Sequence, residues 1–224
     1  MRPAKWNTST DPDRMLEAAA GRLSDRKLLL FGCACARRVS ALLPESVRAV
    51  IPLIEGAAEV EDEEGRQEAV RAALIESVGH LFGLGVTLLQ PRLQFGQFVP
   101  SVTRALSALE WSAALPPEER AWTEYLNPLL NLSPRRDHPE QAALLRCVAG
   151  YPFDPSAIDP AWRTSDAVSL AAGIYADEAF DRLPILADAL MDAGCCDDRI
   201  LSHLRSAGPH VRGCWVVDLV LGKT

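Results

Sequence analysis

In nearly every readable segment of this chain apolar residues recur three or four positions apart, a spacing that suits helices and not the strict alternation of a half-buried strand. Between Asp25 and Leu43, the residues Leu28, Phe31, Cys35, Val39 and Leu42 share one helical face, while Arg26, Lys27, Arg37 and Arg38 put charge around the rest. Composition agrees: 32 Ala and 31 Leu stand against 15 Val, 7 Ile and 7 Thr, so good helix formers dominate the β-branched residues that strands prefer. The expected fold class is all-α, a compact array of short antiparallel helices in a bundle or an irregular helical-hairpin assembly.

Proline and glycine divide this pattern into short segments. Pro12 behind Thr10-Asp11 opens a helix that stops near Gly21, and Ser24 caps the next, which Pro44 ends. A third helix is expected over 45–60 with Pro52 as a kink or break, and a fourth over 67–82. The acidic run EVEDEE at 59–64 reads as a solvated helix end. Residues 85–100 are a long loop or a short hairpin, and helices resume at 101–114 and 117–130. NLSPRRDHPEQ at 131–141 is the linker candidate, and a helix follows over 139–148. Three prolines at 151–162 predict an extended connection. Helices are then expected over 166–177, 183–193, 198–205 and 211–221. The chain thus divides into an N-terminal helical part, 1–130, with a variable middle, and a C-terminal part, 142–224, packed on the first, with a single domain as the alternative. No repeat of fixed period is present.

The balance of 23 basic and 30 acidic residues gives a formal net charge of -7, and with 48% hydrophobic residues the chain is too apolar for disorder. Its 20 arginines cluster in nothing longer than short pairs, so the clustered positive charge that nucleic-acid binding needs is missing. The longest apolar run, Leu28 to Ala36, is far short of the roughly 18 residues that span a bilayer. The opening MRPAKWNTSTDPDR has no apolar core of a signal peptide, so the expected location is a cytoplasm, with the six cysteines reduced.

Cys33-x-Cys35, Cys147, Cys195-Cys196 and Cys214, with His203 and His210, supply enough thiolate and imidazole for one zinc ion. The spacing opposes it: Cys33 and Cys35 lie about 200° apart around a helix, and the residues between the other candidate ligands read as helical instead of as a tight turn. The expected state is therefore no metal and no cofactor, with the thiols acting as small buried hydrophobes and at least three of the six slow to react. The nearest metal candidates are Cys195, Cys196, His203, His210 and Cys214. His210, Cys214 and Asp218 fall at i, i+4 and i+8, but side chains stacked along one helix do not converge on one reacting atom, so no catalytic residue is assigned. Asp218 inside the apolar CWVVDLVL needs a cation, and Arg37 or Arg38 is the expected partner in a structural ion pair.

The segments SDRKLLLFGCACARRVSALLP (24–44) and FDRLPILADALMDAGCCDDRILSHLRSAGPHVRGCWVVDLVLGK (180–223) resemble a family of uncharacterised planctomycete proteins that are abundant as paralogues. The opening, with Trp6, Thr10-Asp11-Pro12 and Met15-Leu16, is similar to theirs as well. Some members carry an SMI1/KNR4 label, an α/β fold from which this helical chain departs. The resemblance implies no activity and no catalytic residue. The resulting functional expectation is a non-catalytic protein-interaction module of the bacterial cytoplasm with an unknown protein partner; the alternative is a metal- or thiol-dependent enzyme using Cys195, His203, His210 and Cys214.

Overall fold

A computed structural model describes residues 3–38, 40–42, 48–66, 68–69, 72 and 134–223. Every regular element among them is helical, and no strand occurs among the described residues. The α-helices are α1 (Pro12–Ala18), α2 (Asp25–Arg38), α3 (Val50–Ala58), α4 (Pro134–Ala149), α5 (Ser165–Asp177), α6 (Leu183–Asp192), α7 (Asp198–Leu204) and α8 (Trp215–Leu221). The expected hairpin at 85–100, the helices at 101–114 and 117–130, and most of the one at 67–82 lie outside the described residues.

The chain separates into two compact units, one formed by Met1–Lys27 with Pro139–Thr224 and the other by Leu28–His138. This division differs from the one the sequence suggests. From Pro134 onward the linker candidate is helix, with Pro139 inside α4, and the first 27 residues cluster with the C-terminal part instead of with residues 28–130.

In the first unit α5 packs on α6 and α8, and α7 packs on α6 and α8. The core is assembled at helical spacing from Ala167, Ala171 and Ile174 of α5, Leu183, Leu186 and Leu190 of α6, Ile200 and Leu204 of α7, and Val216, Val217 and Val220 of α8. The helix starts are locally encoded. Asp11 accepts from the Arg14 amide ahead of Pro12, Thr164 accepts from Ala167, and Asp197 accepts from Arg199 and Ile200. Residues 3–27 are fastened here by Trp6, wholly buried, whose indole Nε1 donates to the Gly150 carbonyl at 2.8 Å. The Arg146 guanidinium donates in turn to the Ser9 carbonyl at 2.8 Å.

Gly150 ends α4 at φ +61°, and a Cβ there would stand 2.9 Å from Cγ of Trp215, so glycine is required for both backbone and space. The last helix begins at Trp215, four residues later than the apolar spacing suggests, because Gly213 adopts φ +85° and breaks the helical path. Residues 205–214 are consequently turn and irregular chain.

In the second unit Leu29 and Leu30 of α2 pack with Ala57 and Ala58 of α3, and Cys33 packs with Ile51. The helix expected over 45–60 is interrupted just ahead of Pro52: Arg48 is helical, Ala49 is a turn, and α3 starts at Val50, so the missing N–H of Pro52 falls in a first turn, where no intrahelical bond is lost. Glu55 is buried and accepts from Nε and Nη2 of Arg37, each at 2.6 Å.

Candidate functional site

Two clusters of chemistry-bearing side chains lie in the first unit, joined through Gly213 and Cys214. The first surrounds Asp218 in α8, which is 1% exposed. Its two carboxylate oxygens accept from Arg26 Nη1 at 2.8 Å and Nη2 at 3.2 Å, a fork-to-fork pairing that fixes both groups in one plane. Lys27 Nζ also binds Oδ2 and donates to the Gly213 carbonyl at 2.7 Å. Arg26 Nη2 further donates to the Tyr175 hydroxyl at 2.7 Å.

The buried acid is therefore paired, but the expected partners are corrected from Arg37 and Arg38 to Arg26 and Lys27. Arg26 and Lys27 occupy the first turn of α2, and Arg37 sits about 16 Å further along the same axis, where it holds Glu55.

The second cluster brings Cys147, His203, His210 and Cys214 together, with one donor atom from each and all four atoms within 4.8 Å of one another. Cys147 comes from the core face of α4, His203 from the last turn of α7, His210 from the irregular segment, and Cys214 from the N-cap of α8. His203 Nε2 lies 3.2 Å from Cys214 Sγ, and His210 Nδ1 lies 4.0 Å from Cys147 Sγ. The two imidazole rings meet edge to face with centroids 4.9 Å apart, and Trp215 closes over His203 at 5.4 Å. On its outer edge, His210 Nε2 is 3.1 Å from the Ser206 carbonyl.

Electrostatics divides the two thiols. Burial pushes Cys214 up, yet the hydrogen bonds from Cys147, His203 and His210 outweigh it and hold this thiol well below its ordinary value. Cys147 is held well above its ordinary value, first by its hydrogen bond to Cys214 and then by burial. For His210, burial works against the charged form, but bonding to Cys214 and to the Ser206 carbonyl prevails and raises it.

A thiol at hydrogen-bond distance from an imidazole is the geometry of an activated nucleophile. Here Cys214 is 0% and Cys147 2% exposed, so no substrate atom reaches either sulfur. Asp218 is committed to Arg26 and Lys27 and does not orient an imidazole. His210, Cys214 and Asp218 do not form the helical stripe their spacing suggests, because α8 starts only after Cys214. That same break lets the residues before it turn inward.

Of the metal candidates read from the sequence, His203, His210 and Cys214 converge, while Cys195 and Cys196 stay outside the cluster. Cys195 is buried and Cys196 exposed, in the turn before α7. Cys147 is the fourth donor, and it stands too far away in sequence for any ligand spacing to flag it. Its one signal is its place among the buried residues Leu144, Leu145 and Val148 of a helix with no other thiol. Comparison with family models, curated proteins and solved structures returned no match.

Proposed function

We propose that the chain is a non-catalytic module of a bacterial cytoplasm that acts by binding another protein, in keeping with the planctomycete family its terminal segments resemble. One observation carries this reading: where thiols and imidazoles converge, both sulfurs are shut into the core, Cys147 and Cys214 each at most 2% exposed, and the neighbouring Asp218 is as deeply buried in its ion pair. An enzyme needs such groups to converge in an open concavity. An open recess on this unit, about 960 Å³, is lined by residues such as Lys5, Ser9, Arg14 and Glu17, with neither thiol nor imidazole. Its carboxylate at Asp11 is occupied in capping α1. The net charge of -7 argues against a nucleic-acid partner, and no helix among the described residues is long and apolar enough to cross a membrane.

The test uses the full chain as bait in native cytoplasm, followed by calorimetric titration of the purified chain with each captured protein. Saturable binding at a fixed ratio supports the module. Turnover of any substrate that disappears in a folded Cys214→Ser variant would replace it with the thiol-dependent enzyme, for which the short His203–Cys214 distance is the favouring observation.

A further inference from the structure

We infer that Cys147, His203, His210 and Cys214 form a closed structural zinc site that fastens α4, α7, residues 205–214 and the start of α8 to one another. This goes beyond the protein-binding reading and does not rest on it.

The donor set selects the ion. Two thiolates and two imidazoles with no carboxylate suit a borderline-soft cation and disfavour magnesium and calcium, which take oxygen ligands. Bound to two thiolates, a divalent cation leaves a neutral centre, the form a core position tolerates. In a tetrahedral site with Zn–S near 2.3 Å and Zn–N near 2.0–2.1 Å, neighbouring donors stand roughly 3.3–3.8 Å apart, with sulfur to nitrogen at about 3.6 Å. The His203 Nε2–Cys214 Sγ and His210 Nδ1–Cys147 Sγ separations, 3.2 Å and 4.0 Å, bracket that value, and all four donors already fit inside 4.8 Å. Side-chain rotations that shift the donors by up to about 1 Å complete the tetrahedron.

A second observation is independent of the cluster's composition. Metal-bound histidines almost always donate their other ring N–H to a fixed acceptor, which sets the tautomer and aims the free lone pair at the ion. The Ser206 carbonyl, 3.1 Å from Nε2 of His210, is such an acceptor, and it leaves Nδ1 facing Cys147 Sγ. The Ser206 hydroxyl lies 3.3 Å from the same nitrogen and donates to the His203 carbonyl at 2.8 Å, tying the two ligand-bearing segments together outside the site.

All four coordination positions come from the protein and both sulfurs are buried, so the site is of the closed, structural kind. The objection the sequence raised, that helix separates the ligands, is removed by the irregular chain at 205–214. Cys147 takes the fourth place, so neither Cys195 nor Cys196 is needed as a ligand.

The experiment is elemental analysis of the full chain produced in zinc-supplemented medium and dialysed into metal-free buffer. About one zinc per chain is expected, and replacement by cobalt(II) should give the intense visible bands of a tetrahedral site together with thiolate-to-cobalt charge transfer. Cys147→Ser and His210→Asn should lower retained zinc at least about tenfold, while Cys195→Ser and Cys196→Ser keep it. A folded wild-type chain with no zinc and no tetrahedral cobalt spectrum overturns the proposal. So does zinc that survives Cys147→Ser, and so does a Cys147–Cys214 disulfide in protein prepared with reductant. The wild-type cobalt spectrum decides even where a variant fails to fold: tetrahedral bands with thiolate charge transfer support the site, and an octahedral spectrum overturns it.

Discussion

Asp218 shows what a single residue can and cannot reveal in one dimension. An acid within CWVVDLVL announces a buried charge and the need for a cation, and both are found. The cation's identity is not announced, because Arg26, Lys27, Arg37 and Arg38 all lie on one helix, and only the side on which its first turn rests selects among them. Asp218→Asn should cost about 3–5 kcal/mol in urea unfolding at pH 7, since Arg26 would remain buried without its counter-charge. Arg37→Gln, which breaks the half-exposed pair with Glu55, should cost clearly less than Asp218→Asn; equal losses would mean that the Asp218 pairing is not the buried one described.

The thiols divide in the same way. Five of the six are buried and Cys196 is exposed, in line with the expectation that at least three react slowly. Burial, followed by the Glu55 carboxylate, pushes Cys33 up to about 12 from an ordinary thiol value. A thiol raised on folding stabilises the fold fully below its unfolded value, and that contribution is lost as pH climbs through the folded one. Alkylation at pH 8 followed by mass mapping should therefore label Cys196 first and Cys33 at least about a hundredfold more slowly. Stability should fall between about pH 9 and 12, and this slope should flatten in Cys33→Ala. A pH profile unchanged by that substitution would show that other groups govern the alkaline limb.

At the scale of elements, helix starts were legible wherever a capping side chain carries them, as at Asp11, Thr164 and Asp197. The start of α8 was not, since Val211 and, apart from Asp218, all of CWVVDLVL are apolar, and periodicity cannot place a boundary inside such a run. Only the left-handed backbone of Gly213 does so, and a glycine near the start of an apolar run looks the same whether it ends a turn or sits within a helix. Glycines with different surroundings should accordingly answer substitution differently. Gly150→Ala meets both a positive φ and the Trp215 ring at 2.9 Å, and is expected to cost about 2–4 kcal/mol. Gly173→Ala, in the middle of α5 with nothing within 4 Å of the new methyl, should raise stability by about 0.5–1 kcal/mol. Thermal melts of the two variants, followed by circular dichroism, should move in opposite directions.

For the whole molecule, residues 1–58 carry a net +3 and residues 151–224 a net -5, and such totals leave open whether the first segment meets the last one or a partner, because a sum of charges has no geometry. The structure joins residues 1–27 to 139–224 in one unit through specific contacts, and those contacts run in series. Trp6 Nε1 binds the Gly150 carbonyl, Gly150 lies against Trp215, Trp215 covers His203, and Cys214 leads into the helix whose Asp218 is held by Arg26 and Lys27. The N-terminal residues are thus wired to the Cys/His cluster from two sides, and a defect at Trp6 should be felt at α8. Trp6→Phe keeps a ring but removes the indole donor, leaving the Gly150 carbonyl without that bond, and should cost about 1–2 kcal/mol. Trp6→Ala also empties a wholly buried site, and about 3–5 kcal/mol is expected. If the unit opens as one body, hydrogen exchange in Trp6→Ala should accelerate in α8 and in the C-terminal half of α4 as much as in α1. Faster exchange confined to residues 3–20, with α8 as protected as in the parent, would show that the N-terminal segment only rests on the unit and that the series of contacts carries no cooperativity.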